Sequence, residues 1–197
     1  MKIFIATKNQ KKLIELSRIL EPMGFDVLSE KDLSKPLADI EETGTTFEEN
    51  AILKAKAGLD ETGYISVADD SGICVDYLGG APGIYSARYS GGHGNDKMNN
   101  LKILSELEGV PMNERTAYYV AAIACVFPDG RQFTVRGECH GYIDFKETGS
   151  QGFGYDPLFI SEKGCFGVIS DDEKDGISHR GKALKLFREE LLKYIEV

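Results

Sequence analysis

From Thr116 to Phe127 the chain runs through β-branched, aromatic and small apolar residues, among them Tyr118, Val120, Ile123 and Val126. Pro128-Asp129-Gly130 then turns it, and Gln132 to Ile143 brings it back. Two strand-like runs joined by so tight a turn read as a hairpin, whose strands are antiparallel. A sheet that holds this hairpin cannot be the purely parallel sheet of a Rossmann-like fold. The N-terminus asks for something else. Ile3-Phe4-Ile5-Ala6 is the short continuous apolar run of a central strand. A polar turn follows, and then an amphipathic helix with Leu13, Leu16 and Leu20 on one face and Glu15 and Arg18 off it. Asn9 stands where an N-cap is needed. Strand, turn and helix beside a hairpin predict an α/β chain built on a mixed sheet.

The chain has 197 residues, enough to bury a sizeable core as one domain or as two lobes of one. Lys and Arg number 23 against 32 Asp and Glu, a net charge of −9, which argues against a general binder of nucleic acid polymers or anionic membranes. A few local lysines and arginines can still form a pocket for a small phosphate ligand. Cys74, Cys125, Cys139 and Cys165 have no C-x-x-C spacing and read as reduced thiols of a cytoplasmic protein. The opening apolar run is far too short for a signal peptide or a membrane span. No repeat, low-complexity tract or linker divides the chain, and residues 1–197 are expected to form a single domain.

Several stretches carry chemistry. Ile65 to Ala68 reads as a buried strand, which runs straight into Asp69-Asp70-Ser71-Gly72. Neighbouring strand residues point to opposite faces, so both acids can serve one site only if the strand ends there, and Gly72 fits such an ending. These acids are either turn residues and solvated, or a metal or general-base site at a sheet edge. The loop from Leu33 to Thr43 carries Asp39, Glu41 and Glu42 just before a long helix. Thr46 and Glu49 have capping-box spacing at its start, and Gly63 suits its end. The Thr7-Lys8-Asn9-Gln10-Lys11-Lys12 turn aims a helix start and three lysines at whatever lies above the first strand, a place that suits anions. It contains no Walker-type glycine loop. Asn95 to Glu108 reads as a helix whose apolar face is Met98, Leu101, Leu104 and Leu107. Gly149 to Pro157 is a glycine-rich loop around Phe153, which can be a plain turn or a place where a planar ring stacks. Arg88, between small and aromatic residues, can be a buried ion-pair anchor or a ligand contact. Lys174 lies in an acidic segment, and His179 and Arg180 open the last helix, with Leu184, Phe187, Leu191 and Ile195 as its core face.

Five motifs occur in one order along the chain: Thr7-x-Asn9-x-x-Lys12, Thr46-Phe47-x-Glu49-Asn50-Ala51, Ala68-Asp69-Asp70-Ser71-Gly72, Gly152-Phe153-Gly154-Tyr155-Asp156-Pro157 and Ser178-His179-Arg180. With Leu78-Gly79-Gly80-Ala81-Pro82-Gly83 and Ala87-Arg88-Tyr89 between them, the sequence resembles the inosine triphosphate pyrophosphatases, the Ham1-like dITP/XTP pyrophosphatases. Lys11 stands where many members carry Gly. The resemblance implies an elongated mixed β-sheet flanked by helices, two lobes around a central cleft, and a homodimer. It implies Mg²⁺-dependent hydrolysis of ITP, dITP and XTP to the monophosphate and pyrophosphate, cleansing the nucleotide pool.

The resemblance also implies roles residue by residue. The turn from Thr7 through Lys8, Asn9, Gln10 and Lys11 to Lys12 would hold the triphosphate, and Lys54 would touch substrate. Glu42, with Glu41 as second choice, and Asp70 would bind Mg²⁺, and Asp70 would also orient or deprotonate the attacking water. Ser71, Phe153, Gly154, Tyr155, Asp156, Lys174, His179 and Arg180 would contact the rest of the nucleotide. Hypoxanthine and xanthine carry an acceptor oxygen at C6 where adenine carries a donor, so donors from Lys174, His179 and Arg180 would match the former. Guanine shares that oxygen and must be refused at its 2-amino group. Two alternatives stand beside this reading. A Maf-like nucleotide pyrophosphatase would lack the Ser-His-Arg and Gly-Phe-Gly-Tyr-Asp signatures, and a non-catalytic nucleotide-binding protein would be expected to have lost an acid.

Overall fold

The computed structural model describes residues 1–38, 40–92 and 94–195; Asp39, named above among the loop acids, lies outside them. Its strands are β1 (Lys2–Ile5), β2 (Asp26–Leu28), β3 (Ile65–Val75), β4 (Thr116–Val126), β5 (Gln132–Ile143), β6 (Phe159–Ser161) and β7 (Gly164–Cys165). The α-helices are α1 (Gln10–Leu20), α2 (Phe47–Thr62), α3 (Asp96–Glu106), α4 (Asp171–Ile177) and α5 (His179–Ile195). The sheet order is β2-β1-β3-β4-β5-β6-β7. β1 pairs parallel with β2 and β3, while β6 pairs antiparallel with β5 and β7, so the sheet is mixed as expected. β4 and β5 are neighbours in it, joined by the turn in which Gly130 N–H donates to Phe127 O at 3.0 Å. Gly130 has φ +89°, a conformation that side chains with Cβ resist.

Two compact units make up the chain, and β3, β4 and β5 contribute residues to both. The first comprises residues 1–70, 121–136 and 183–197. Its core packs Ile3 and Ile5 of β1, Ile65 and Val67 of β3, Leu16 and Leu20 of α1, and Ala183, Phe187 and Leu191 of α5. Each large apolar side chain so buried stabilises the fold by about 1.5–3 kcal/mol. The second comprises residues 71–120 and 137–182, with a core of Ile73, Ile103, Leu107, Tyr119, Phe159 and Phe166 among others.

Two local expectations are corrected here. The strand does not end at Asp70: β3 runs on through Gly72 to Val75. Asp69 and Asp70 therefore keep the alternation of a strand. In the first unit, the register Ile3↔Ile65, Phe4↔Ser66, Ile5↔Val67 puts Ile65 and Val67, and with them Asp69, on the face that packs on α1. Ser66 and Asp70 face α2, where Gly58 lies against Phe4, Ala6 and Ser66 and Lys54 reaches Asp70. The two acids thus serve different faces of one strand. The second correction concerns α3, where Met98 and Leu101 are 48% exposed, and Asn99, Asn100 and Ile103 are buried instead.

Gly58 shows how close α2 lies. A Cβ there would stand 2.4 Å from Ser66 Oγ, 2.9 Å from Phe4 Cδ1 and 3.0 Å from Ala6 Cβ. Alanine is favoured over glycine in a helix by about 1 kcal/mol, and overpacking costs about 1–3 kcal/mol. Gly58→Ala is expected to be destabilising by roughly 1 kcal/mol net, read as a lowered urea midpoint at unchanged m. A raised midpoint would show that α2 can move off the sheet.

Candidate active site

In the first unit, the β1–α1 turn is built by its own side chains. Asn9, in extended conformation, accepts from the backbone N–H of Lys11 at 2.9 Å and of Lys12 at 3.3 Å, and Thr7 Oγ1 accepts from Asn9 N–H at 3.2 Å. This caps α1 as expected and leaves Lys8, Gln10 and Lys11 exposed. Lys12 turns toward the sheet and pairs with Asp69 at 2.9 Å. A cavity of about 350 Å³ adjoins the turn, with Thr7, Gln10, Ser29, Lys31 and Lys35 in its walls.

The α2 face of β3 carries the acid cluster. Thr46 Oγ1 accepts from Glu49 N–H at 3.1 Å, and Glu49 reaches back to the N–H and hydroxyl of Thr45, so the helix start is fixed. Lys54, two turns in, donates to Asp70 Oδ1 at 2.8 Å and to Glu42 Oε1 at 3.1 Å. Glu42 is half-buried and Glu41 is exposed. Asp70 is 7% exposed, and its Oδ2 is buried with no hydrogen-bond partner among the described residues. Burial raises the Asp70 pKa above the usual carboxylate value, with Lys54 opposing that rise. Burial also works against the charge on Lys54, but Asp70, Asp69 and Glu42 outweigh it and hold the ammonium above its ordinary pKa.

These donors suit a small hard cation. Mg²⁺ is usually bound by one or two carboxylates and completes its shell with water and substrate phosphate. Glu42 and Asp70 meet at Lys54, and a buried carboxylate oxygen with no partner remains on Asp70. No group of three His, Cys, Asp or Glu able to hold a metal exists among the described residues.

The second unit gathers the remaining candidates. Asp156, 2% exposed, accepts at Oδ2 from Phe153 N–H at 2.8 Å and from Lys174 Nζ at 2.5 Å, and at Oδ1 from Tyr119 OH at 3.3 Å. The Phe153 ring is 42% exposed, with Lys174 Nζ 5.4 Å and the Arg180 guanidinium 5.9 Å from its centroid. Arg180, 8% exposed, donates from Nη2 to Ser71 Oγ at 3.1 Å. His179 is buried, its imidazole stacked on Tyr119 at 4.6 Å and 8°. Tyr155 is buried too, and its hydroxyl donates to Ser86 O at 2.7 Å, which makes it part of the loop's anchorage. Ser71, Phe153, Lys174, His179 and Arg180 thus belong to one cluster around Asp156 and Tyr119.

Sequence reading missed Tyr119 and the burial of Asn99 and Asn100 in α3. Tyr119 was hidden because β4 is buried on both faces and gives no alternation to single it out. Burial, then Asp156 beside it, holds the Tyr119 phenol well above its usual pKa, so it stays a hydrogen-bond donor. The signal for the asparagines was available: two adjacent amides sit mid-helix, where exposed positions would more readily carry strong helix formers.

Sequence and structure comparisons place known proteins beside this chain. A profile of the Ham1 family matches residues 3–190. A dITP/XTP pyrophosphatase of Bacillus licheniformis is 49% identical over 185 residues, covering 93% of this chain and 94% of that one. One from Geobacter sulfurreducens is 47% identical over 192 residues, 96% of each. Among solved structures, the Ham1 protein of Staphylococcus aureus superposes with a TM-score of 0.90 at 38% identity, over 98% of this chain and 100% of that one.

Proposed function

The chain belongs to the Ham1 family, and from that premise we propose that it hydrolyses deaminated purine nucleoside triphosphates, ITP, dITP and XTP, to the monophosphate and pyrophosphate. The observation that carries the chemistry is Asp70: a buried strand carboxylate, bridged to Glu42 through Lys54, with one oxygen unengaged. Asp70 orients a water and takes its proton as the water oxygen bonds to the α-phosphorus. The bond from that phosphorus to the α–β bridging oxygen breaks, and pyrophosphate leaves with the bridging oxygen. Glu42 and Asp70 would hold Mg²⁺, which when bound neutralises charge on the phosphoryl oxygens. Lys54 keeps the two carboxylates from repelling each other apart. Lys12, held at one end by Asp69, and the capped start of α1 bind the triphosphate.

Base choice belongs to the second unit's cluster. Phe153 offers a ring face, and Lys174, His179 and Arg180 offer donors to the 6-oxygen of hypoxanthine and xanthine. Adenine would set an amino donor against them, and an unpaired buried donor costs about 1–3 kcal/mol. The relatives reported above are named dITP/XTP pyrophosphatases, so no observation favours a Maf-like base preference. Magnesium dependence, a homodimer and a cytoplasmic location are parts of the same proposal. No helix among the described residues is long and apolar enough to cross a membrane.

The proposal is tested by hydrolysing ITP in ¹⁸O-water. The label is expected in IMP, with unlabelled pyrophosphate as the other product; label in pyrophosphate, or release of orthophosphate, would refute attack at the α-phosphorus. A second expectation concerns the turn. Lys12→Ala should raise KM for ITP, XTP and GTP by a similar factor, because the phosphates are common to all. A rise confined to one base would remove Lys12 from the phosphate site.

A further inference from the structure

Two residues of α3, Asp96 and Asn100, lie one helical turn apart on the same face and grip the backbone of a single residue of the glycine-rich loop, Gly154, on both its flanking peptide units. Asp96 Oδ2 accepts from Gly154 N–H at 2.8 Å, and Asn100 Nδ2 donates to Gly154 O at 3.2 Å. Asn100 also donates to Glu147 Oε1 at 2.7 Å and is 2% exposed. Its neighbour Asn99 donates to Ser86 O at 3.3 Å and accepts from Ser90 N–H at 2.8 Å, and Ser86 O also receives the Tyr155 hydroxyl. The buried amides of α3 thus tie the helix to the loop, through Glu147 and Gly154, and to the Ser86–Ser90 segment on which Tyr155 is anchored. Gly154 itself has φ +61°, so its two backbone groups point where an ordinary residue would not send them.

Phe153, the residue before Gly154, needs this support. Its ring is 42% exposed, so packing alone does not fix it, and its own N–H is held by Asp156. We propose that Asp96 and Asn100 are positioning residues that hold Gly154 by both backbone groups and so pre-order the Phe153 ring for the purine face. This rests on the base-stacking reading above. A loop that is not ordered beforehand must be ordered by the substrate, so losing the grip weakens binding and leaves the chemistry at Asp70 alone.

The chain contains no tryptophan, so Phe153→Trp places a single indole at the stacking position. In the full-length protein, ITP added with EDTA is expected to quench its emission. In that background Asp96→Ala and Asn100→Ala are expected to lower the indole's anisotropy, while Asp96→Asn, which keeps an acceptor oxygen, retains it. With Phe153 in place, the two alanine variants should raise KM for ITP roughly five- to thirtyfold, with kcat within about twofold of wild type. Asp96 is exposed, so Asp96→Ala carries the test if loss of the buried Asn100 prevents folding. Unchanged anisotropy and KM in a folded Asp96→Ala protein would overturn the proposal, as would a fall in kcat at constant KM. An indole that ITP does not affect would instead overturn the stacking reading, and the proposal with it.

Discussion

Asp70→Asn is expected to lower kcat for ITP by about two to four orders of magnitude, the usual contribution of a positioned general base. The amide matches the carboxylate in shape but can neither take a proton from water nor offer a second anionic oxygen to Mg²⁺. Lys54 keeps Glu42 as a partner at 3.1 Å, so no ammonium is stranded. The fold should tolerate the change, because burial already penalises the Asp70 charge more than Lys54 relieves it. Thermal melts should therefore stay close to wild type while turnover falls. A folded variant that retained more than about a tenth of wild-type kcat, a barrier change of only ~1.4 kcal/mol, would take Asp70 out of its role.

Arg180→Ala should erode the preference for ITP over ATP, and more than Phe153→Ala does. A guanidinium is always charged and only donates, so it can favour a 6-oxygen and disfavour a 6-amino group. Charge-assisted bonds of ~1.5–3 kcal/mol correspond to roughly a ten- to hundredfold change in the ratio of kcat/KM. An aromatic ring grips any purine face with similar strength, so removing Phe153 should weaken all purines together. The Ser71 hydroxyl and the Phe153 ring beside Arg180 restrict where its fork can point, which is what base reading requires. If Phe153→Ala collapsed the ratio while Arg180→Ala left it unchanged, base reading would move to the glycine-rich loop.

Both variants rest on residues that could be read in the sequence, and the reason is locality. The Asn9 cap, the Thr46 helix start, the Gly63 stop at φ +70° and the 127–131 turn are decided within a few residues, and the chain spells them out. The mixed sheet followed from one hairpin beside one strand–turn–helix. The course of β3 past Asp70 did not follow, because Asp-Ser-Gly is turn-like alone and only neighbouring strands hold it extended. That difference matters for function: it parts the two acids, Asp69 to Lys12 and Asp70 to Lys54. The face of α3 was misread for a related reason. Met98 and Leu101 have helical spacing, but the buried positions belong to amides whose partners lie about ten to fifty residues away in the chain. Tyr119 stacking on His179 joins residues sixty positions apart, and periodicity says nothing about such a pair.

The most direct measurement is pyrophosphate release from ITP, XTP, dITP, GTP and ATP, each compared as kcat/KM with Mg²⁺ and again with EDTA. The account predicts pyrophosphate from ITP, dITP and XTP at least about tenfold faster than from ATP or GTP, the ratio one mismatched polar group supports, and none with EDTA. Equal kcat/KM across the five nucleotides, or turnover undiminished by EDTA, would contradict it.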